Sequence, residues 1–136
     1  ALWRDEKAVF EEILTQNEAI RRTRDSLKGK PPQATHFQRI RLGEMVKAAL
    51  ERKRAMEMKR ILTPLRQIAT RTVENQLLAD RMVANAAFLV DRRREEAFDQ
   101  AVAKLDQELG HRMSFKYVGP VPPYNFVNII VNWQEL

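Results

Sequence analysis

The chain has 136 residues, 44% of them apolar, which suits one domain with a real core. It contains no cysteine, excluding disulfides, thiolate metal sites and cysteine nucleophiles, and no window approaches the roughly 18 to 20 consecutive apolar residues of a membrane-spanning helix. Lysine and arginine outnumber aspartate and glutamate 24 to 18; the resulting +6 suits nucleic acid, an acidic protein face or an anionic membrane without choosing among them.

The N-terminus lacks the basic-then-apolar order of a signal peptide, so the chain reads as soluble and unexported. It starts at Ala1 with Leu2 and Trp3 following at once, and is expected to be part of a longer protein. Leu2-Trp3-Arg4 reads as the end of a strand, and Asp5 as the cap of a helix with Val9, Phe10, Ile13 and Leu14 on one face. Asn17 caps a second helical segment through Leu27. Gly29 and the Pro31-Pro32 pair then break regular structure, making residues 28–34 a loop.

A longer helix is predicted over about residues 36–62, with Ile40, Leu42, Val46, Ala49, Leu50, Met58, Ile61 and Leu62 as its apolar positions. Its middle, Glu51 to Arg60, is dense in charge, and pairs such as Glu51 with Arg54 or Lys53 with Glu57 predict a solvated surface helix. Pro64 is expected to end or kink it. Thr70, Thr72 and Val73 favour extended backbone within residues 68–74, and the nearly continuous apolar run Met82 to Val90 fits a central strand, so the two predict a hairpin. Phe98, Val102, Leu105 and Leu109 recur at helical spacing between Asp91 as cap and Gly110 as C-terminal stop. Met113 to Val118 reads as a strand. After the Gly119 to Pro123 corner, Tyr124 to Trp133 reads as another, with Val127, Ile129, Val131 and Trp133 on one apolar face.

The order strand, helices, strand, strand, helix, strand is that of an α+β, ferredoxin-like (split βαβ) sheet, here with an enlarged helical first crossover and an extra C-terminal strand. Residues 1–136 are read as one domain.

Asn85-Ala86-Ala87-Phe88-Leu89-Val90-Asp91, followed after the helix by Tyr117-Val118-Gly119-Pro120-Val121-Pro122-Pro123-Tyr124-Asn125-Phe126-Val127, resembles the C-terminal signature of the gas vesicle protein GvpF/GvpL family. Leu2-Trp3-Arg4-Asp5, Arg39-Ile40-Arg41-Leu42-Gly43-Glu44 and Leu62-Thr63-Pro64-Leu65 resemble it in the same order. The resemblance implies the C-terminal domain of a two-domain protein whose N-terminal domain is absent. It also implies an accessory or minor structural role in gas vesicle formation, through binding to the shell protein GvpA and other Gvp proteins. The location it implies is the gas vesicle within the prokaryotic cytoplasm.

Candidate protein-interaction residues fall in three places. Arg52, Lys53 and Arg54 form a basic run on the long helix, and Arg92 and Arg93 open a second run before the last helix. Both runs equally fit an ordinary solvated face. Positive charge at a helix N-terminus is mildly unfavourable, so the second run calls for a compensating acid such as Glu95 or Glu96. Gly119, Pro120, Pro122, Pro123 and Tyr124 make a stiff turn that loses little entropy on docking, although a rigid connector needs the same residues.

Nucleic-acid binding through the basic helix is the alternative, weakened by the lack of a reading motif or interleaved aromatics. No catalytic residue, cofactor or metal site is expected. His36 and His111 adjoin no nucleophile in any motif, and the four glycines are isolated.

Overall fold

The computed structural model describes residues 1–120. β1 (Leu2–Trp3) enters α1 (Glu6–Gln16) through Asp5, whose carboxylate accepts from the backbone N–H of Lys7 and Ala8 at 3.0 and 3.2 Å. Asn17 ends α1 and caps α2 (Glu18–Leu27), its Oδ1 accepting from Ile20 N at 3.3 Å. Both caps satisfy donors that a helix start leaves open. Gly29 turns the chain at φ 75°, a conformation that favours glycine.

α3 (His36–Ile68) is longer than its sequence suggests, running straight through Pro64 to a cap at Ala69. Its 33 residues span about 50 Å at about 1.5 Å each. Proline removes one helical donor, but Ile61, Leu62 and Leu65 on either side of it are all buried, so packing holds the helix where local propensity would stop it. β2 (Arg71–Glu74) follows directly and is therefore shorter than the predicted strand.

β2 pairs antiparallel with β3 (Ala86–Leu89), with Arg71 opposite Leu89 and Glu74 opposite Ala86. The predicted strand from Met82 to Val90 is divided. Its first half turns its backbone toward β1: Trp3 N–H donates to Arg81 O at 2.9 Å, Val83 N–H donates to Ala1 O at 2.8 Å, and Leu2 and Met82 form an antiparallel bridge. Its second half bonds to β2, and Asn75 N–H donates to Asn85 O at the join at 2.7 Å.

Asp91 caps a 3-10 turn, Arg92–Arg94, rather than the α-helix itself; α4 (Glu95–Leu109) begins after it. β4 (Met113–Ser114) pairs antiparallel with β1, placing Leu2 opposite Ser114. The described strands thus form two two-stranded sheets, β1–β4 and β2–β3, with three helices between β1 and β2. The predicted last strand lies outside the described residues.

Trp3, Ile20, Val83 and Met113 are the most completely buried side chains, with Val9, Ile13, Ile61, Leu62, Leu65, Phe98, Leu105 and Leu109 around them. Every predicted helix contributes to this one cluster.

Gly110 departs from the sequence expectation in an instructive way. Its φ is −64°, so it is not there for left-handed backbone. A Cβ would instead fall 2.2 Å from the carbonyl oxygen of Asp106, which accepts from Gly110 N–H at 2.7 Å. Gly110→Ala is therefore expected to cost about 1–3 kcal/mol, typical of forced overpacking, measured as a fall in the urea midpoint with unchanged slope.

Candidate functional site

α1, the middle of α3 and the end of α4 enclose a groove of about 590 Å³, whose lining includes Glu12, Arg52, Lys53, Glu57, Arg60 and Arg112. Its floor follows from one buried aromatic. Trp3 is 1% exposed, and an indole N–H taken out of water needs an acceptor. Glu57 provides it: Oε2 accepts from the Trp3 indole, and Oε1 accepts from Arg112 Nε. The other two guanidinium nitrogens of Arg112 both donate to Glu12, with Nη2 to Oε2 at 2.6 Å. Lys53 Nζ completes the chain at 3.0 Å from Glu12 Oε2 and also donates to Gln16 Oε1 at 3.0 Å.

Arginine suits the central position because its planar fork can hold two carboxylates at fixed geometry. The hydrogen bond from Arg112 holds the Glu12 carboxyl below its ordinary value, partial burial opposes this, and Lys53 adds to the lowering. The hydrogen bond to Glu12 raises Arg112 in turn.

The first predicted basic run is thereby split. Arg52 is exposed at the groove, whereas Lys53 and Arg54 are half-buried and engaged. Arg54 sits 5.5 Å over the Trp3 ring and donates to Asp80 O at 2.7 Å. The expected neutralising pairs along α3 give way to partners on other elements, with Lys53 going to α1 and Glu57 to Trp3 and Arg112. The middle of this helix is in effect a polar core seam with one solvated edge.

Arg92 and Arg93 are exposed, the Arg93 side chain at 92%. Their compensation comes from neither Glu95 nor Glu96. Arg93 pairs with Asp91 at 3.6 Å, and Arg94 reaches across a cleft of about 400 Å³ to donate to Gln67 O at 3.4 Å, in the last turn of α3. A cation at a helix C-terminus is favourable, so charge awkward for α4 is useful to α3.

Gly119 and Pro120 are exposed, and the corner they begin is pinned just upstream. Tyr117 hydroxyl donates to Asp99 Oδ1 at 2.7 Å, and its ring lies 5.9 Å from that of Phe98, which in turn lies 5.1 Å from Phe88. Burial and then the nearby Asp99 push the Tyr117 phenol up to about 12. Pro122, Pro123 and Tyr124 lie outside the described residues.

Sequence reading missed the Trp3–Glu57–Arg112–Glu12 chain, because its members stand far apart and no spacing links them. Its one legible clue was Trp3, an aromatic whose N–H must be met if buried. His111 and Glu108 also line the groove, but Glu12 and Glu57 are committed to cations and none of the described lining residues carries a hydroxyl or thiol, so the described lining brings no nucleophile and base together. His36 sits apart at the start of α3 against Phe37. Among the described residues no three potential ligands come together to hold a metal, and no helix is long and apolar enough to cross a membrane.

The family model described as gas vesicle synthesis protein GvpL/GvpF matches residues 1–128. The chain belongs to this family. A gas vesicle protein F of Streptomyces is 33% identical over 123 residues, covering 90% of this chain and 50% of that protein. That of Haloferax mediterranei is 40% identical over 71 residues, covering 52% and 33%. Among solved structures, GvpF of Microcystis aeruginosa aligns at TM-score 0.73 and 26% identity, over 92% of this chain and 50% of that one. GvpF of Anabaena sp. aligns at TM-score 0.84, over 95% and 52%, and at 24% identity this likeness speaks to the fold. The matched regions cover from a third to about half of the length of these relatives. The GvpL/GvpF fold is thus a mixed helix and sheet architecture in this chain as in the GvpF structures.

The groove chain makes stability acid-sensitive. Because Glu12 has its folded pKa below the ordinary 4.5, its contribution is fully present above that value and is lost as pH falls through the folded pKa. Denaturant midpoints measured from pH 6 down to about pH 3 are expected to fall. Glu12→Gln should start lower at pH 6 and show a flatter acid limb.

Proposed function

We propose that residues 1–136 are the C-terminal domain of a longer gas vesicle accessory or minor structural protein, acting without catalysis by binding the shell protein GvpA and other Gvp proteins. Its place is the gas vesicle within the prokaryotic cytoplasm. The observation that carries this reading is the match of the GvpL/GvpF family model to residues 1–128. Extents of 50% of the Streptomyces relative and 52% of the Anabaena structure support a domain of a two-domain protein.

We further infer a split βαβ arrangement as its frame. The antiparallel bridge from Leu2 to Met82 sets the segment before β3 beside β1, while β4 pairs on the other edge of β1. Taking that single bridge as a join between the two pairs, β1–β4 and β2–β3, supports one sheet of the split βαβ kind.

Arg52 and Arg60 favour protein docking at the groove. They line it with no carboxylate partner among the described residues, next to Met56, which is 72% exposed. Exposed charge around an apolar anchor is the composition of a protein-binding rim and centre. Arg92, Arg93 and the Gly119-Pro120 corner offer further exposed contacts, while Lys53 and Arg54 serve by holding the helix in place.

Co-expression of the tagged full-length protein with GvpA and the other Gvp proteins tests the reading. At least one of them is expected to co-purify, and Arg52→Glu with Arg93→Glu is expected to lower recovery about tenfold, equivalent to about 1.4 kcal/mol. Failure of the wild-type protein to retain any of them would sink it.

A further inference from the structure

The charge of this chain is concentrated in a place neither basic run marks. Residues 21–41, comprising the end of α2, the turn and the start of α3, hold seven of the 24 basic residues and one of the 18 acidic ones. The remaining 115 residues carry 17 of each, so the whole excess of +6 belongs to this helical hairpin tip. Six of the seven cations there are exposed, and Arg24 is half-buried.

Internal neutralisation at the tip is incomplete. Asp25, its one acid, is shared between Arg24 at 3.1 Å and Lys28 at 3.6 Å, and Arg22 turns back to Glu18 at 2.6 Å. Lys30 and Arg41 have no carboxylate partner among the described residues. The turn itself is firmly held: Thr35 is buried, its hydroxyl donates to Pro31 O at 3.1 Å, and it accepts from Arg39 Nε at 2.8 Å. Beside these cations Phe37 is 81% exposed and Ile40 48% exposed. Positions 37, 40 and 41 are three and four residues apart, so on α3 they share a face.

We propose that this tip docks an acidic, amphipathic segment of a partner protein. Phe37 and Ile40 pack against its apolar side chains, and Lys30 and Arg41 pair with its carboxylates. This rests on the protein-binding reading above and assigns it a surface other than the groove. Self-repulsion among exposed like charges within a screening length of about 10 Å is relieved when an anionic partner seats there. The apolar strip distinguishes the kind of anion. A nucleic-acid backbone would use the cations but leave Ile40, which offers no stacking face, without a counterpart. A lipid surface would need a longer apolar face, yet Glu44, seven residues after Phe37, interrupts this one.

The test is fluorescence anisotropy of the full-length protein with a labelled synthetic helix of glutamate and leucine and with a labelled oligo-dT strand, alongside co-sedimentation with phosphatidylcholine–phosphatidylserine vesicles. The helix is expected to bind in a salt-dependent way. Lys30→Glu with Arg41→Glu should weaken it about tenfold and Phe37→Ala about fivefold, while Lys104→Glu with Lys116→Glu, exposed lysines outside both proposed surfaces, leaves it within about twofold. Circular dichroism checks that these surface variants remain folded. No binding of the helix, equal loss in all charge reversals, or insensitivity to Phe37→Ala overturns the proposal, as does binding of the strand or the vesicles in preference to the helix. Gvp co-purification separates the two levels. If wild type and tip variants retain the Gvp proteins equally, the tip assignment falls and the protein-binding reading stands; if wild type retains none, both fall.

Discussion

Removing an indole N–H from water is the constraint from which the rest of this polar architecture follows. Trp3 sits in the core beside Met113 and Val83, and its nitrogen needs an acceptor that apolar neighbours cannot supply. Glu57 supplies one by bringing a negative charge inward, a charge tolerable there only beside a cation. Arg112 is that cation, and its remaining donors draw in Glu12, which draws in Lys53. One buried ring thereby links β1, α1, α3 and the segment after α4, ordering four distant parts of the chain by hydrogen-bond demand rather than by apolar contact alone.

Much of the local structure was legible because its causes are local. Asp5 and Asn17 start helices by accepting nearby N–H groups, Gly29 supplies a positive φ, and the helix through Phe98, Leu105 and Leu109 declares its buried face by spacing. What was hidden depends on residues far away in sequence. Pro64 is tolerated because flanking side chains are buried, and the run from Met82 to Val90 divides because β1 and β2 compete for its backbone. The basic run at 52–54 looked uniform on paper, yet the neighbouring residues point to different surroundings and only Arg52 is solvated. Net charge misled by being an average: clusters of three basic residues attract the eye, whereas seven cations spread over 21 residues do not.

The two basic regions consequently do different physical work. Along the middle of α3 and before α4, Lys53, Arg54 and Arg94 meet a carboxylate, an aromatic face and a helix carbonyl and hold elements together, while Arg52, Arg60 and Arg92 stay exposed as single contacts. At the α2–α3 turn they surround a rigid, Thr35-anchored loop and two exposed apolar side chains, so their field reaches outward. Rigid placement matters for recognition, since a preorganised surface has little ordering entropy left to lose.

Pairing the second residue of the chain with the hundred-and-fourteenth has a consequence for how the domain is made. β1 finds β4 only after the intervening residues have been synthesised, and Arg112 reaches Glu57 and Glu12 no earlier. The α2–α3 hairpin, whose contacts are close in sequence, can form while translation proceeds, but the Trp3 nitrogen stays wet until the late segment arrives. A chain made only as far as residue 111 therefore lacks both the β1–β4 pairing and the cation that Glu12 and Glu57 share.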